Sequence, residues 1–328
     1  MSMKVLIVGL GSMGKRRARL LQAIDPSIQI SGVDNTEFRR AEAAGMGITA
    51  YASIREACEW ESYQAALVCT APLSHAVIIK QLLQQGISVF SELNLVQDGY
   101  QENIELAKQK GLTLFLSSTM LYRKETQYIA QQIQNFSGKV NYTYHIGQYL
   151  PDWHPWENYR NFFVGNKRTG GVREIFGIEL PWLVDTFGEV TSFSVQKDKI
   201  SQLEIEYADS VFVMLRHASG AKGMLAVDVV SPKAVRNFEA FGEGLHLFWE
   251  GNPKALYQYD TTTKEKLAVD TYASYEQDAR YSDNIVENAY VDELMNFLQV
   301  LQGNQQPLYS FEQDLKIIEL MDKIEEAP

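Results

Sequence analysis

Gly9, Gly11 and Gly14 stand in the run Gly9-Leu10-Gly11-Ser12-Met13-Gly14, a G-x-G-x-x-G spacing. A continuous apolar run, residues 4–9, leads into it, and residues 12–23 leave it with helical spacing. The first reads as a buried parallel strand and the second as a helix. A further apolar run, 28–33, closes on Asp34, which lies 20 residues beyond Gly14. Glycines at those positions allow a tight turn and a close approach to backbone N–H groups. The start of a helix is electropositive, so phosphate settles there. A carboxylate at the end of the next strand can accept hydrogen bonds from a pair of ribose hydroxyls. The combination is the fingerprint of dinucleotide binding, with Gly9, Gly11, Ser12, Met13 and Gly14 around a pyrophosphate and Asp34 on the ribose. The Asp34 charge repels a 2′-phosphate and favours NAD over NADP, while Arg39 and Arg40 act against that preference.

A second group has the chemistry of a sugar pocket. Eight aromatic side chains crowd residues 142–163. Aromatic faces pack against the C–H faces of sugars. Those in a strand serve packing equally well, because sheets select aromatics. Trp153 and Trp156 fall in a loop, where binding residues concentrate, and are expected to line a pocket.

The elements that must carry these residues follow from periodicity. Apolar runs at 28–33, 65–70, 87–90 and 112–116 alternate with helical stretches at 74–85 and 101–110. Strands alternating with helices predict βαβ units and a parallel sheet, hence a Rossmann domain over residues 1–120. The pattern then changes. A helix at 125–136, a strand at 140–150 and a helix at 174–187 precede strand candidates at 203–207, 211–217, 222–230 and 238–249. Tight turns between consecutive strands predict a large, mostly antiparallel sheet in an α+β domain over 121–328. Two closing helices, 284–301 and 311–326, are free to pack back on the first domain. The fold class is therefore α/β with an appended α+β domain.

Composition narrows the function. With 45% hydrophobic and 22% charged residues the chain of 328 is globular and long enough for two cores. A net charge of −11 argues against nucleic acid as a partner. The triplet Lys15-Arg16-Arg17 reads equally as a solvated helix face or a phosphate contact. The two cysteines make neither a disulfide framework nor a zinc site, and no metal is expected. No apolar run reaches the ~18 residues of a membrane span, and 5–10 is too short for a signal peptide. These features predict a cytoplasmic protein without membrane attachment.

The glycine loop, Asp34 and the order of later segments resemble the glucose–fructose oxidoreductase / myo-inositol dehydrogenase / MocA (Gfo/Idh/MocA) oxidoreductases along essentially the whole chain. Thr70-Ala71-Pro72-Leu73-Ser74-His75 is similar to that family's turn after the fourth strand, and 89–95 to its strand ending in Glu-Lys-Pro. Residues 149–160 and the turn Thr169-Gly170-Gly171 resemble sugar oxidoreductases linked to surface polysaccharide synthesis. The resemblance implies that Thr70, Ala71, Pro72 and His75 border the nicotinamide ribose, with Glu92 and Asn94 also at the cofactor. It places Leu93 and Tyr122 at the substrate, and it implies a homodimer or homotetramer formed through the C-terminal sheet.

Two positions depart from the family pattern. Its catalytic lysine falls on Leu93 and the following proline on Asn94. Its Asp and His on the helix after the glycine turn fall on Ile175 and Ile178. Aliphatic side chains cannot move a proton. The remaining candidates are His154, whose imidazole titrates near neutrality, and Glu179, four residues beyond Ile175 on the same helical face. Glu92 is the residue of the lysine motif that does match. Arg173 can orient a substrate or stabilise an oxyanion, and Glu174 beside it is a substrate contact. The expected function is hydride transfer between a nicotinamide and a carbinol of a sugar or sugar derivative. The alternative is a silent sensor or scaffold that binds dinucleotide and sugar without turnover.

Overall fold

A computed structural model describes residues 2–154, 157–275 and 285–328. They form two compact units. The first comprises Met1–Ser118 with Tyr290–Lys316, and the second Thr119–Ala289 with Ile317–Pro328.

The first unit is built from β1 (Lys4–Val8), α1 (Ser12–Ile24), β2 (Gln29–Val33), α2 (Glu37–Gly45), β3 (Thr49–Tyr51), α3 (Ile54–Trp60), β4 (Ala65–Val68), α4 (His75–Gln84), β5 (Ser88–Ser91), α5 (Tyr100–Lys110) and β6 (Leu114–Leu116). All six strands pair in parallel in the order β3-β2-β1-β4-β5-β6. That is the doubly wound Rossmann order, and the expected fold class stands. Strands β1 and β4 are buried on both faces, as their unbroken apolar runs require. The short, polar α2, β3 and α3 carry no periodic apolar signal. They are absent from the sequence reading for that reason.

The second unit contains α6 (Lys124–Gln134), β7 (Asn141–Gly147), α7 (Gly171–Phe187), β8 (Val190–Asp198), β9 (Ser210–His217), β10 (Lys222–Asp228), β11 (Val235–Gly242), β12 (Leu245–Trp249), β13 (Leu256–Asp260) and β14 (Glu265–Ala268). Their order in one sheet is β14-β13-β12-β11-β7-β10-β9-β8. Only β7 and β10 are parallel neighbours; the other pairs are antiparallel. Every second residue of β7, β9 and β10 faces a core that α7 closes with Phe176, Trp182 and Phe187. Trp182 stands edge-on to Tyr144 and Phe238, with ring centroids 5.7 and 5.2 Å away.

The expected strand at 203–207 does not form. Leu203 and Ile205 are buried as the alternation demands, but the Ile205 N–H bonds back to the Leu203 carbonyl at 3.0 Å. Asp209 holds the preceding turn by accepting from the Ile200 and Ser201 N–H groups at 2.7 and 3.0 Å. The segment is a plug with alternating burial and no ladder. The strand expected over 140–150 ends at Gly147, because Leu150 opens a single helical turn.

The closing helices are α8 (Glu287–Leu301) and α9 (Phe311–Glu326). From Tyr290 onward α8 belongs to the first unit, where Phe297 packs on Phe90 and Phe115 at 5.3 and 5.4 Å. Among the described residues no helix is long and apolar enough to cross a membrane, and no cluster of side chains could hold a metal.

Candidate functional site

In the first unit the glycine loop has the geometry its spacing demands. Gly9 has φ +96°, a region L side chains avoid, and its N–H donates to the Val33 carbonyl at 2.8 Å. A Cβ on Gly14 would meet the Gly9 carbonyl oxygen at 1.9 Å. A Cβ on Gly11 would meet nothing within 4 Å. Gly9 and Gly14 are thus fixed by the protein's own packing, whereas Gly11 faces open space. Helix α1 has no side-chain cap and no acid in its first turn, so an anion is the natural partner for its N–H groups.

Asp34 is buried at the end of β2. Its Oδ2 accepts from the Leu10 N–H and its Oδ1 from the Thr36 N–H, each at 2.9 Å. Arg39 approaches the same carboxylate at 3.7 Å, and Arg40 donates to the Asp34 carbonyl at 2.8 Å. The carboxylate therefore ties the glycine loop to β2, and each oxygen keeps a lone pair for a hydroxyl.

His75 and Asn94 are bound to each other. His75 Nδ1 lies 2.6 Å from Asn94 Oδ1, and Nε2 lies 2.8 Å from the Thr70 carbonyl. Burial lowers the His75 pKa, which favours the neutral ring with one N–H. That N–H belongs on Nε2, facing the Thr70 carbonyl. The Asn94 Nδ2 is buried without a partner in the orientation shown, so turning the amide over lets Nδ2 donate to Nδ1. The pair braces the turn of Thr70, Ala71 and Pro72 against the end of β5. Leu93, between Glu92 and Asn94, is partly exposed.

Glu92 is gripped from below. Arg17, fully buried, donates from Nε to Glu92 at 2.6 Å, and from Nη2 to Glu293 of α8 at 2.6 Å and to Ser117 at 3.2 Å. Arg16 is buried too, with its guanidinium 4.9 Å from the Tyr290 ring. The solvated reading of Lys15-Arg16-Arg17 holds only for Lys15, which pairs with Glu42 at 3.1 Å. The missed signal is that Arg17 shares the apolar face of α1 with Met13 and Leu20.

In the second unit two expected site residues are committed to structure. Glu179 is fully buried and receives four donors: Tyr144 Oη at 2.8 Å, Trp182 Nε1 at 2.8 Å, and Arg236 through Nε at 3.0 Å and Nη2 at 2.7 Å. These bonds tie Glu179 to β7 and β11, where the expectation of a base had it facing a substrate. Arg173 donates to Glu325 and Asp322 of α9, each at 2.6 Å. It anchors α9 to α7 instead of standing ready for an oxyanion. Ile175 is buried, and Tyr122 is buried in the turn Thr119–Tyr122.

The His154 ring lies tilted against Phe162 with ring centroids 4.4 Å apart, and burial lowers its pKa. Trp153 bonds through Nε1 to the Gln148 carbonyl at 3.1 Å, and its ring would lie 3.3 Å from a Cβ on Gly171. It thus packs at the start of α7. Trp156 lies outside the described residues. Glu174 lies in the first turn of α7, and its Oε2 is closed off from solvent without a hydrogen-bond partner among the described residues.

Residues 3–118 match the family described as an oxidoreductase family with an NAD-binding Rossmann fold, of Gfo/Idh/MocA type. Biliverdin reductase A of Homo sapiens is 28% identical over 192 residues, covering 58% of this chain and 60% of its own. Inositol 2-dehydrogenase of Renibacterium salmoninarum is 28% identical over 116 residues, 33% of this chain and 35% of its own. The chain thus spans at most about three-fifths of these curated relatives. Likeness of fold runs the full length. An oxidoreductase from Agrobacterium radiobacter, solved with NAD+, L-tartaric acid and magnesium, gives a TM-score of 0.82 at 11% identity, covering 98% of this chain and 95% of its own. UDP-N-acetylglucosamine 3-dehydrogenase from Acidithiobacillus ferrooxidans gives 0.78 at 16% identity, covering 100% and 98%. Biliverdin reductase from Synechocystis, solved with biliverdin and NADP+, gives 0.73 at 20% identity, covering 99% and 98%. The chain therefore shares the fold of these solved structures along its length.

Proposed function

We propose that this protein is an NAD-dependent oxidoreductase acting on a carbinol of a sugar or sugar derivative. The observation that carries the reading is the start of α1, where Gly11 opens onto free space, no side chain caps the helix and Asp34 waits at the end of β2. Backbone N–H groups of Ser12, Met13 and Gly14 hold the pyrophosphate, and Asp34 takes the ribose hydroxyls. Thr70, Ala71, Pro72 and His75, braced by Asn94, border the nicotinamide ribose, with Glu92 fixed by Arg17 beside them. Bound NAD supplies a hydride acceptor, and its reduced form a hydride donor. In the second unit, Trp153 offers a sugar an aromatic face.

The substrate class is supported by the inositol and UDP-N-acetylglucosamine dehydrogenases among the similar proteins. Both cysteines are free, in keeping with a cytoplasmic setting. A homodimer or homotetramer through the open face of the second unit's sheet belongs to the same reading. Phe212, Met214 and Met224 are 54, 56 and 47% exposed there.

Titration with NADH and NADPH, followed by cofactor fluorescence, tests the first half. Tighter binding of NADH is expected, and absence of binding overturns the proposal. A panel of polyols, sugars, nucleotide sugars and biliverdin, followed by nicotinamide absorbance, tests the second. Reduction of biliverdin with no activity on any sugar would overturn the substrate class.

A further inference from the structure

About one turn beyond Gly14, helix α1 of the first unit buries an arginine, and every nitrogen of its guanidinium is committed. Arg17 Nε donates to Glu92 Oε1 at 2.6 Å. Its Nη2 donates to Glu293 Oε2 at 2.6 Å and to Ser117 at 3.2 Å, and its Nη1 to the Tyr290 carbonyl at 3.5 Å. The guanidinium also lies 4.7 Å from the Phe90 ring centre and 5.0 Å from that of Tyr290. Glu293 is held in turn, accepting from Ser117 Oγ at 3.0 Å and from the Ser118 N–H at 2.7 Å. Ion pairs shielded from water often add no stability over apolar packing of the same shape, so stability alone does not account for this network. Its open end is Glu92, whose side chain is 14% exposed while those of Arg17 and Glu293 are fully buried.

The sheet order says what that end faces. Asp34 follows β2 on one side of β1, the glycine loop follows β1 itself, and β4 and β5 lie on the other side. A dinucleotide lies across the carboxyl ends of such strands. With its adenosine ribose on Asp34 and its pyrophosphate at α1, its nicotinamide half passes over β4 and β5. Glu92 is the first residue after β5, and its N–H donates to the Val68 carbonyl at the end of β4 at 3.0 Å. Arg17 occupies Glu92 Oε1 and leaves Oε2 for a donor from outside. A carboxylate offers only acceptors, and the nicotinamide half brings donors in its ribose hydroxyls and carboxamide N–H. We propose that Arg17 is a positioning residue for the cofactor: anchored by Glu293 and Ser117, it sets Glu92 to accept a hydrogen bond from the nicotinamide half. The assignment rests on the dinucleotide-binding reading above and uses groups of the first unit alone.

Binding of NADH and of ADP by the whole protein, measured by calorimetry, tests this. ADP carries the adenosine ribose and both phosphates but lacks the nicotinamide half. In Glu92→Gln the amide keeps its oxygen on Arg17 and turns an N–H towards the ligand. NADH should weaken about 10-fold or more, the scale of a lost hydrogen bond to a charged group, while ADP stays within a few-fold. Arg17→Met alone leaves two buried carboxylates without their cation, which strongly destabilises a fold. The double variant Arg17→Met/Glu293→Gln removes one charge of each sign and should show the same selective loss of NADH. If NADH and ADP weaken together in the double variant, Arg17 serves only the packing of α1 and the assignment is overturned. If the wild type binds neither ligand, the dinucleotide reading fails and the assignment falls with it. If the wild type binds both and the double variant binds NADH equally well, the assignment alone is wrong.

Discussion

At the scale of single residues the three glycines of the loop are not equivalent, and two substitutions separate them. Gly14→Ala forces a Cβ against the Gly9 carbonyl at 1.9 Å, so it should lower the melting temperature, at a cost of about 1–3 kcal/mol or more. In Gly11→Val the Cβ meets no protein atom within 4 Å, so melting should change less than in Gly14→Ala while NADH binding is lost. Calorimetry and fluorescence titration on the same two variants decide it, and unimpaired NADH binding by Gly11→Val would remove the pyrophosphate from this loop. Asp34→Ala should weaken NADH about 10-fold or more, the scale of a charged hydrogen bond, and NADPH less. Leu93→Ala should change the hydride rate only modestly, because a leucine moves no proton.

At the scale of elements, helices and sheet are locked together by charges inside each unit. In the second unit Glu179 of α7 meets Arg236 of β11 with both groups shielded. Removing one partner of such a pair leaves an uncompensated charge and costs about 3–5 kcal/mol. Arg236→Met should therefore show a large drop in denaturation midpoint, and the double variant Arg236→Met/Glu179→Gln should recover most of it. If the single variant is as stable as the double, Glu179 is not held by this ion pair and returns as a candidate base. The first unit repeats the device with Arg17 between Glu92 and Glu293. There, burial raises the pKa of Glu293 while Arg17 opposes the shift.

At the scale of the whole molecule, Glu174 couples stability to pH. Its pKa lies above the ordinary 4.5, so the folded state keeps a proton that the unfolded chain has lost. The stability it contributes is complete below the unfolded pKa and disappears as pH rises through about 8. Between those values Glu174→Gln should become progressively more stable than the wild type, read as a widening gap in melting temperature. A gap that stays constant across that range would mean the carboxyl is ionised throughout. The exposed Phe212, Met214 and Met224 make a second prediction at this scale. Met214→Asp with Met224→Lys should shift the sedimentation coefficient towards that of a monomer, and an unchanged value would move the subunit contact elsewhere.

The sequence by itself determined the Rossmann sheet and its dinucleotide loop. Those signals are local: a strand buried on both faces is apolar throughout, and a turn that tolerates no side chain must use glycine. The large antiparallel sheet was legible in outline for the same reason, through alternation in β9 and β10. Residues 203–207 show where alternation misleads, since burial repeats every second residue there without a neighbouring strand to pair with. Only the tertiary structure decided which charged residues are at work and which are structural. Arg173, Glu174 and Glu179 lie within seven positions on one helix and look alike in sequence. Arg173 meets α9, Glu179 meets β11, and Glu174 keeps an Oε2 without a partner among the described residues. Arg17 likewise reads equally as a solvated residue or a phosphate contact until Glu92 and Glu293, far apart in sequence, are brought to it. A side chain's ionisation and availability depend on what long-range packing sets against it, and no local pattern encodes that.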